Sequence, residues 1–292
     1  MHPYLIKFGG GWGLPAYGAM LGLGFLLGYL VALRHARQEG YDKEVLADLW
    51  VICIVGGVLG ARLWDAIQTH SPVWQIFNFW QKGGIRGLVF YGGFLGAVLG
   101  TVIYLRWRRQ SVLRSYDLIA PSLALGLAFG RMGCFLAGCC WGNECSLPWA
   151  VRFPRQVVHE GGQSFTVGSP AFREHFAKGT LGADATWSNP VHPTQLYEML
   201  TALVIFGILH WFYKRRKREG EALWLFVLLY APACFCLEFL RPGIEGNSPK
   251  IFHGLSGAQL FSAGAFIVAL CIFVLGRLRL KKAAPQSAPA SN

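Results

Sequence analysis

The sequence predicts an all-α integral membrane protein of seven transmembrane helices. The N-terminus is expected outside and the C-terminus in the cytoplasm, with a small extracytoplasmic head between helices four and five. Three observations carry this. Of 292 residues, 53% are hydrophobic and only 14% charged, against roughly 25% charged in average soluble chains. Seven apolar segments approach the roughly 20 residues that a spanning helix needs. Lys and Arg fall unevenly between alternate loops, as the positive-inside rule requires. This composition excludes disorder, a collagen, a coiled coil and an ordinary cytosolic enzyme.

The spans are expected at about 15–33, 46–66, 88–105, 117–139, 196–213, 222–240 and 257–276. The first is Gly-rich, preceded by a single Lys7 and too long for a signal-peptide h-region, so it is expected to stay. Sixteen of the 27 Lys and Arg lie in one set of loops, at 34–43, 106–114, 214–218 and 277–282, and nine in the other set, which is much longer. The first set is therefore placed in the cytoplasm. The net charge of +12 then records orientation and attraction to anionic headgroups, which argues against nucleic acid as a partner and for membrane lipid. Residues 1–142 hold helices one to four and 192–278 hold helices five to seven. The polar, Gly- and Pro-punctuated stretch 143–191 forms the head, and 279–292, rich in Ala, Pro and Ser, is expected to be a disordered cytoplasmic tail.

The two remaining basic residues, Arg62 and Arg131, fall inside spans. Ionisable groups there are costly and face the bundle interior or a wet cavity. At about 1.5 Å per residue, Arg131 lies roughly 21 Å along helix four, in the outer half of the bilayer. Arg62 and Asp65, Glu238 and Arg241, Tyr17, Tyr91, and the group His192, Gln195, Tyr197 and Glu198 reach a similar depth. Polar side chains from six helices at one level suggest a cavity open to the outer leaflet, rather than a relay across the membrane or a midplane transport site. Arg62 with Asp65 and Glu238 with Arg241 are also spaced i, i+3, so each admits a purely structural ion pair. Arg131 has no acidic residue within four positions, and that favours phosphate binding.

Cys139, Cys140 and Cys145 sit where helix four ends. A disulfide, a metal site and a nucleophile compete there. Zinc wants four suitably spaced ligands, and Cys134 and His159 are badly spaced for it, so no metal and no cofactor are expected. A disulfide from Cys140 to Cys145, or none, is the simpler reading. A nucleophilic thiol would need a base such as His192 in reach.

The run Gly130-Arg-Met-Gly-Cys-Phe-Leu-Ala-Gly-Cys-Cys-Trp-Gly142 resembles the signature of bacterial prolipoprotein diacylglyceryl transferases, in a Cys-rich form. His2-Pro3, Tyr17-Gly18, Gly60-Ala-Arg62, Gly92-Gly93, Asp117 with Ala120-Pro121, Pro148-Trp-Ala-Val151, His192-Pro-Thr-Gln-Leu-Tyr-Glu198 and Glu238-Phe-Leu-Arg241 match in order. The resemblance extends to about residue 275. It implies an enzyme of the inner membrane, active on its periplasmic side, with phosphatidylglycerol and preprolipoprotein signal peptides as partners. Such an enzyme moves the diacylglyceryl group to the lipobox cysteine thiol, forming a thioether and releasing glycerol 1-phosphate.

Carried onto this chain, the resemblance makes Arg131 the phosphate ligand and a catalytic residue, with Glu238 and Tyr91 as further catalytic candidates. Arg241 and Arg62 join it as substrate-binding cations, Tyr17 and Tyr197 line the cavity, and His192 and Gln195 shape its mouth. Four positions depart from the family pattern. Tyr91 stands where many members have His, Cys134 and Cys139 stand where enterobacterial members have Asn and Glu, and Cys234 stands at a usual Arg. The alternatives are a catalytically weak paralogue that binds phospholipid or signal peptide, and a membrane thiol protein using Cys139, Cys140 and Cys145.

Overall fold

The computed structural model describes residues 4–7, 13–72, 90–160, 163–241, 250–252 and 254–283. Among the described residues the regular structure is helical apart from three two-stranded antiparallel pieces. The elements run β1 (Tyr4–Lys7), β2 (Gly13–Pro15), α1 (Ala16–Glu39), α2 (Lys43–Gln68), α3 (Phe90–Trp107), α4 (Val112–Ala137), β3 (Arg155–Glu160), β4 (Gln163–Gly168), α5 (Pro170–Ala177), α6 (Thr194–Tyr213), α7 (Glu221–Glu238), β5 (Lys250–Phe252), β6 (Leu255–Ser256) and α8 (Gly257–Ala283). Among the described residues six helices, α1, α2, α4, α6, α7 and α8, are long and apolar enough to cross a membrane. The predicted seventh span falls on α3, which is apolar but offers only a shorter run, Gly92–Trp107, among the described residues.

The helices outrun the apolar segments that announced them. Intrahelical hydrogen bonding does not stop where hydrophobicity does, so polar ends such as Arg34–Glu39 and Val112–Asp117 continue the coil. For the same reason the tail expected from 279 is helical as far as Ala283; residues 284–292 lie outside the described residues. Pro121 sits inside α4 and removes one of its i→i−4 bonds.

The chain divides into two compact units, Met1–Gly28 with Ile119–Asn292, and Tyr29–Leu118. The second unit is organised by α2 and α3, which meet glycine to glycine. A Cβ built on Gly56 would stand 2.8 Å from the Gly96 carbonyl oxygen, and one on Gly60 would stand 2.8 Å from the Gly96 Cα. Only hydrogens fit there, as at the small-xxx-small seams of membrane helices. The Gly92-Gly93 pair of the sequence motif belongs to this seam. Tyr41 Oη to Ser115 Oγ (2.7 Å) and Thr101 Oγ1 to Tyr116 Oη (2.8 Å) tie the unit together.

In the first unit, Ser122 Oγ donates to the Gly28 carbonyl at 2.7 Å. Ala124, Ile205 and Leu209 form a buried core with Phe226, Leu229 and Tyr230 packed against it. Glu221 at the start of α7 accepts from the Lys217 backbone N–H (2.7 Å) and faces Arg277 Nε of α8 at 2.8 Å. Residues 143–191 contain β3, β4 and α5, strung on bridges from Glu144 and Val151 to Val191 and from Pro154 to Trp187. Trp141, Phe153, Ala171 and Val191 make its small core.

One histidine controls this segment. His175 is buried, its Nδ1 accepts from the Asn189 backbone N–H (3.2 Å), and its Nε2 faces Glu144 Oε1 at 3.7 Å. Burial holds the imidazole below its ordinary pKa, outweighing Glu144 and Glu174, with Lys178 acting in the same direction as burial. The unfolded chain therefore binds the proton more readily, so stability falls as pH drops through about 6.5 and levels off below the folded-state value. Hydrogen exchange of residues 170–191, corrected for intrinsic rates, is expected to accelerate between pH 7.5 and 5.5. His175→Gln should remove most of that pH dependence; unchanged exchange in the parent protein would refute it.

Candidate active site

The unpartnered arginine of the sequence finds its acid on another helix. Arg131 Nε of α4 lies 2.5 Å from Glu198 Oε2 of α6, and Glu198 is buried. The other oxygen of the same carboxylate is bonded by Arg241 Nη2, just beyond the end of α7. Arg241 Nη1 also faces Glu238 Oε2 at 3.7 Å, and Glu238 Oε1 accepts from Ser256 Oγ at 3.0 Å. The expected i, i+3 pair of Glu238 and Arg241 is thus present, but as the outer link of a chain Arg131–Glu198–Arg241–Glu238–Ser256. Two guanidinium groups thus share the one buried carboxylate of Glu198, and Glu238 balances the second of them from its outer side.

Glu198 was expected at this depth from the sequence but was given no role there. It was visible as an acid six positions after His192, but no local spacing links it to Arg131. Tyr230 and Cys234, hydrogen-bonded to each other on α7, lie within electrostatic reach of Arg131 and Glu198. Position 234 therefore borders the Arg131–Glu198 pair.

The other predicted residues are placed as follows. Gln195 is fully buried and its Nε2 donates to the Cys139 carbonyl at 2.7 Å, while Thr194 Oγ1 donates to the Cys140 carbonyl at 2.8 Å. Gln195 thus anchors the turn at the end of α4. Trp149 Nε1 donates to Tyr197 Oη at 2.7 Å, and His192 Nδ1 lies 3.3 Å from the same hydroxyl. Tyr17 is 44% exposed, and its Cα would be 3.2 Å from a Cβ on Gly133 of α4. Arg62 is buried on α2 in the other unit, and Tyr91 lies in the first turn of α3 with its side chain outside the described part.

After α4 the chain turns through two left-handed residues, Gly138 (φ 74°) and Cys140 (φ 60°). Gly138 meets that demand at no steric cost, whereas Cys140 adopts a conformation that L-residues rarely take. The turn folds Cys139 and Cys140 back on Cys134, so the three Sγ atoms lie within 4.8 Å of one another. The sequence grouped Cys145 with this pair, but its backbone N–H bonds the Pro190 carbonyl instead. The thiols of Cys140 and Cys145 are both free, so the disulfide considered between them is not formed. Hydrogen bonds from Cys134 and Cys139, and the charges of Arg131 and Arg241, pull the Cys140 thiol well below its ordinary pKa.

Gly142 completes the packing. Its N–H donates to the His192 carbonyl at 2.9 Å, and a Cβ there would meet His192 Cβ and Thr194 Cγ2 at 2.7 Å. Gly142→Ala is expected to push α6 off the end of α4, lowering stability by about 1–3 kcal/mol and activity with it. A thermal midpoint equal to the parent's would show that the contact gives way.

Fold and site define an integral membrane protein in which two guanidinium groups share one buried carboxylate. Residues 3–275 match the family described as prolipoprotein diacylglyceryl transferase. The phosphatidylglycerol–prolipoprotein diacylglyceryl transferase of Clostridium tetani is 29% identical over 90% of this chain and 93% of that protein. The enzymes so named from Nitratidesulfovibrio vulgaris (33% identical, 89% of each chain) and Thermotoga maritima (29%, 94% of this chain and 84% of the other) are similar as well. The chain belongs to the prolipoprotein diacylglyceryl transferase family and is a transferase.

Proposed function

We propose that this chain transfers the diacylglyceryl group of phosphatidylglycerol to the lipobox cysteine thiol of preprolipoproteins, with release of glycerol 1-phosphate. It would work as a multi-pass protein of the bacterial inner membrane, its site towards the periplasm, taking lipid and signal peptide from the bilayer. The observation that carries this reading is the Glu198 carboxylate held by both Arg131 and Arg241. A lipid phosphodiester has the same charge and the same fork of oxygens, and it can take those guanidinium groups in place of Glu198.

The chemistry follows from that exchange. The substrate thiolate attacks the glyceryl carbon that bears the phosphate. A C–S bond forms, the C–O bond breaks, and its electron pair leaves on the phosphate oxygen. Charge on the leaving group grows to that of a dianion, so cations placed in advance stabilise the transition state more than the bound lipid. Arg131 is the primary phosphate ligand in this scheme, and Arg241, steadied by Glu238, the second. Tyr17, His192 and Tyr197 border the path of the lipid. Arg62 and Tyr91 are proposed as substrate and catalytic residues on the family resemblance alone.

The test supplies the purified protein with phosphatidylglycerol vesicles and a lipobox peptide, and measures glycerol 1-phosphate together with the mass of the peptide. Release coupled to peptide lipidation is expected. Release no greater than that of Arg131→Ala would sink the proposal.

A further inference from the structure

Cys134, Cys139 and Cys140 form a three-sulfur cluster that the proposed transfer does not use. Their sulfurs lie within 4.8 Å of one another. Four sulfurs around a tetrahedral ion with bonds of about 2.3 Å stand about 3.8 Å apart, so closing the cluster on a metal takes a shift of about 1 Å. The exposed Cys140 side chain can supply much of it. The backbone is already committed, since the Cys139 and Cys140 carbonyls are held by the buried Gln195 and Thr194. Cys140 also holds its left-handed conformation without being glycine, as residues at functional sites often do.

Three features select the chemistry. Thiolate ligands favour zinc-class soft ions over magnesium or calcium. No fourth His, Cys, Asp or Glu joins the group among the described residues. Three protein ligands with one open position is the pattern of catalytic rather than structural zinc. Finally, the cluster is near the two guanidinium groups, since Arg131 acts electrostatically on Cys134 and Cys140 and Arg241 on Cys140. Those cations offset the negative charge that a thiolate-bound metal would bring.

The geometry points to a zinc-class metal site formed by Cys134, Cys139 and Cys140, whose open fourth position takes the thiol of the lipobox cysteine. This inference rests on the transferase reading and supplies what that reading lacks, a way to make the substrate thiolate where Tyr91 replaces a family histidine. A thiol that coordinates the ion is deprotonated outright, its proton passing to water. The bound sulfur then attacks the glyceryl carbon, the C–S bond forms, and the C–O electron pair departs with glycerol 1-phosphate beside Arg131 and Arg241. The ion begins and ends in the same oxidation state.

Cobalt(II) is the probe, added anaerobically to the reduced, metal-stripped full-length protein in detergent. One equivalent is expected to bind with sulfur-to-metal charge-transfer absorption and the visible bands of a tetrahedral ion. A lipobox peptide should intensify the charge transfer as a fourth sulfur enters, and the same peptide with Ser for Cys should not. Cys139→Ser and the exposed Cys140→Ser should each weaken cobalt binding by more than the roughly 10- to 100-fold that loss of an outer partner costs. Cys145→Ser should leave it unchanged. Absence of charge transfer, or equal binding by the Cys134/Cys139/Cys140 triple Ser variant, overturns the site. Undiminished lipidation by the metal-stripped protein removes the role in transfer but leaves the transferase reading standing. Peptide-dependent charge transfer without glycerol 1-phosphate release, from zinc- or cobalt-loaded protein, does the reverse. Gel filtration and circular dichroism identify any variant that fails to fold, and Cys140→Ser then decides.

Discussion

Arg131→Ala is expected to lower turnover by about 10²- to 10³-fold, the loss that follows removal of one preorganised donor to a developing anion. Two effects act together. The guanidinium proposed to meet the leaving phosphate is gone, and Glu198, buried in the bundle, keeps Arg241 as its cationic partner. Arg131→Lys should recover little, because an ammonium is a point charge and cannot hold two oxygens in one plane. A double-mutant cycle with Glu198→Gln separates the effects. In thermal unfolding without lipid, the pair should show a coupling of about 0.5–3 kcal/mol. With saturating phosphatidylglycerol that coupling should shrink, since lipid phosphate has then taken the arginine. Full turnover in Arg131→Ala would refute the assignment, and coupling that lipid leaves unchanged would refute the exchange of carboxylate for phosphate.

The second large effect lies at the α2–α3 seam and carries a change of sign within one series. Gly96→Leu is expected to unfold the Tyr29–Leu118 unit or cost it more than the roughly 3 kcal/mol of ordinary overpacking. A Cβ at Gly96 runs into the Gly56 carbonyl and stands 2.9 Å from the Gly60 Cα, and neither backbone can step aside. Gly100→Ala should cost less, since its nearest neighbour is the movable Ile52 Cγ2 at 3.1 Å. Gly22→Ala on α1 meets nothing within 4 Å, so it should stabilise by up to about 1 kcal/mol through helix propensity alone. Thermal midpoints in detergent that fail to rank Gly22→Ala above Gly100→Ala above Gly96→Leu would contradict this account of the seam.

The apolar helices were legible because bilayer thickness imposes a length that composition reports directly. Their ends were not, because Arg34, Val112 and Arg277 lie in stretches where helical hydrogen bonding outlasts hydrophobicity. The strands Arg155–Glu160 and Gln163–Gly168 escaped notice within a polar segment. In the site, Arg131 was found by subtracting every basic residue that topology explains. Its partner was not, because Glu198 reaches it from another helix and spacing along one helix says nothing about such a pair. The cysteine trio shows the same limit. Whether Cys134 or Cys145 joins Cys139 depends on the left-handed turn at Gly138 and Cys140, and thiol spacing alone does not encode it.

The long-range origin of the clamp has a consequence for how the protein is made. Arg131 is synthesised well before the acid that neutralises it. At roughly 5–20 residues per second, Glu198 follows about 3–13 s later, and Arg241 comes 43 residues after that. During this interval the nascent α4 carries an uncompensated cation in an apolar helix, a poor candidate for stable residence in lipid. The helix is then expected either to stay at a protein-lined port or to draw its arginine toward the headgroups until α6 arrives. On that expectation, the pair Arg131–Glu198 ties the lateral release of α4 to the synthesis of α6.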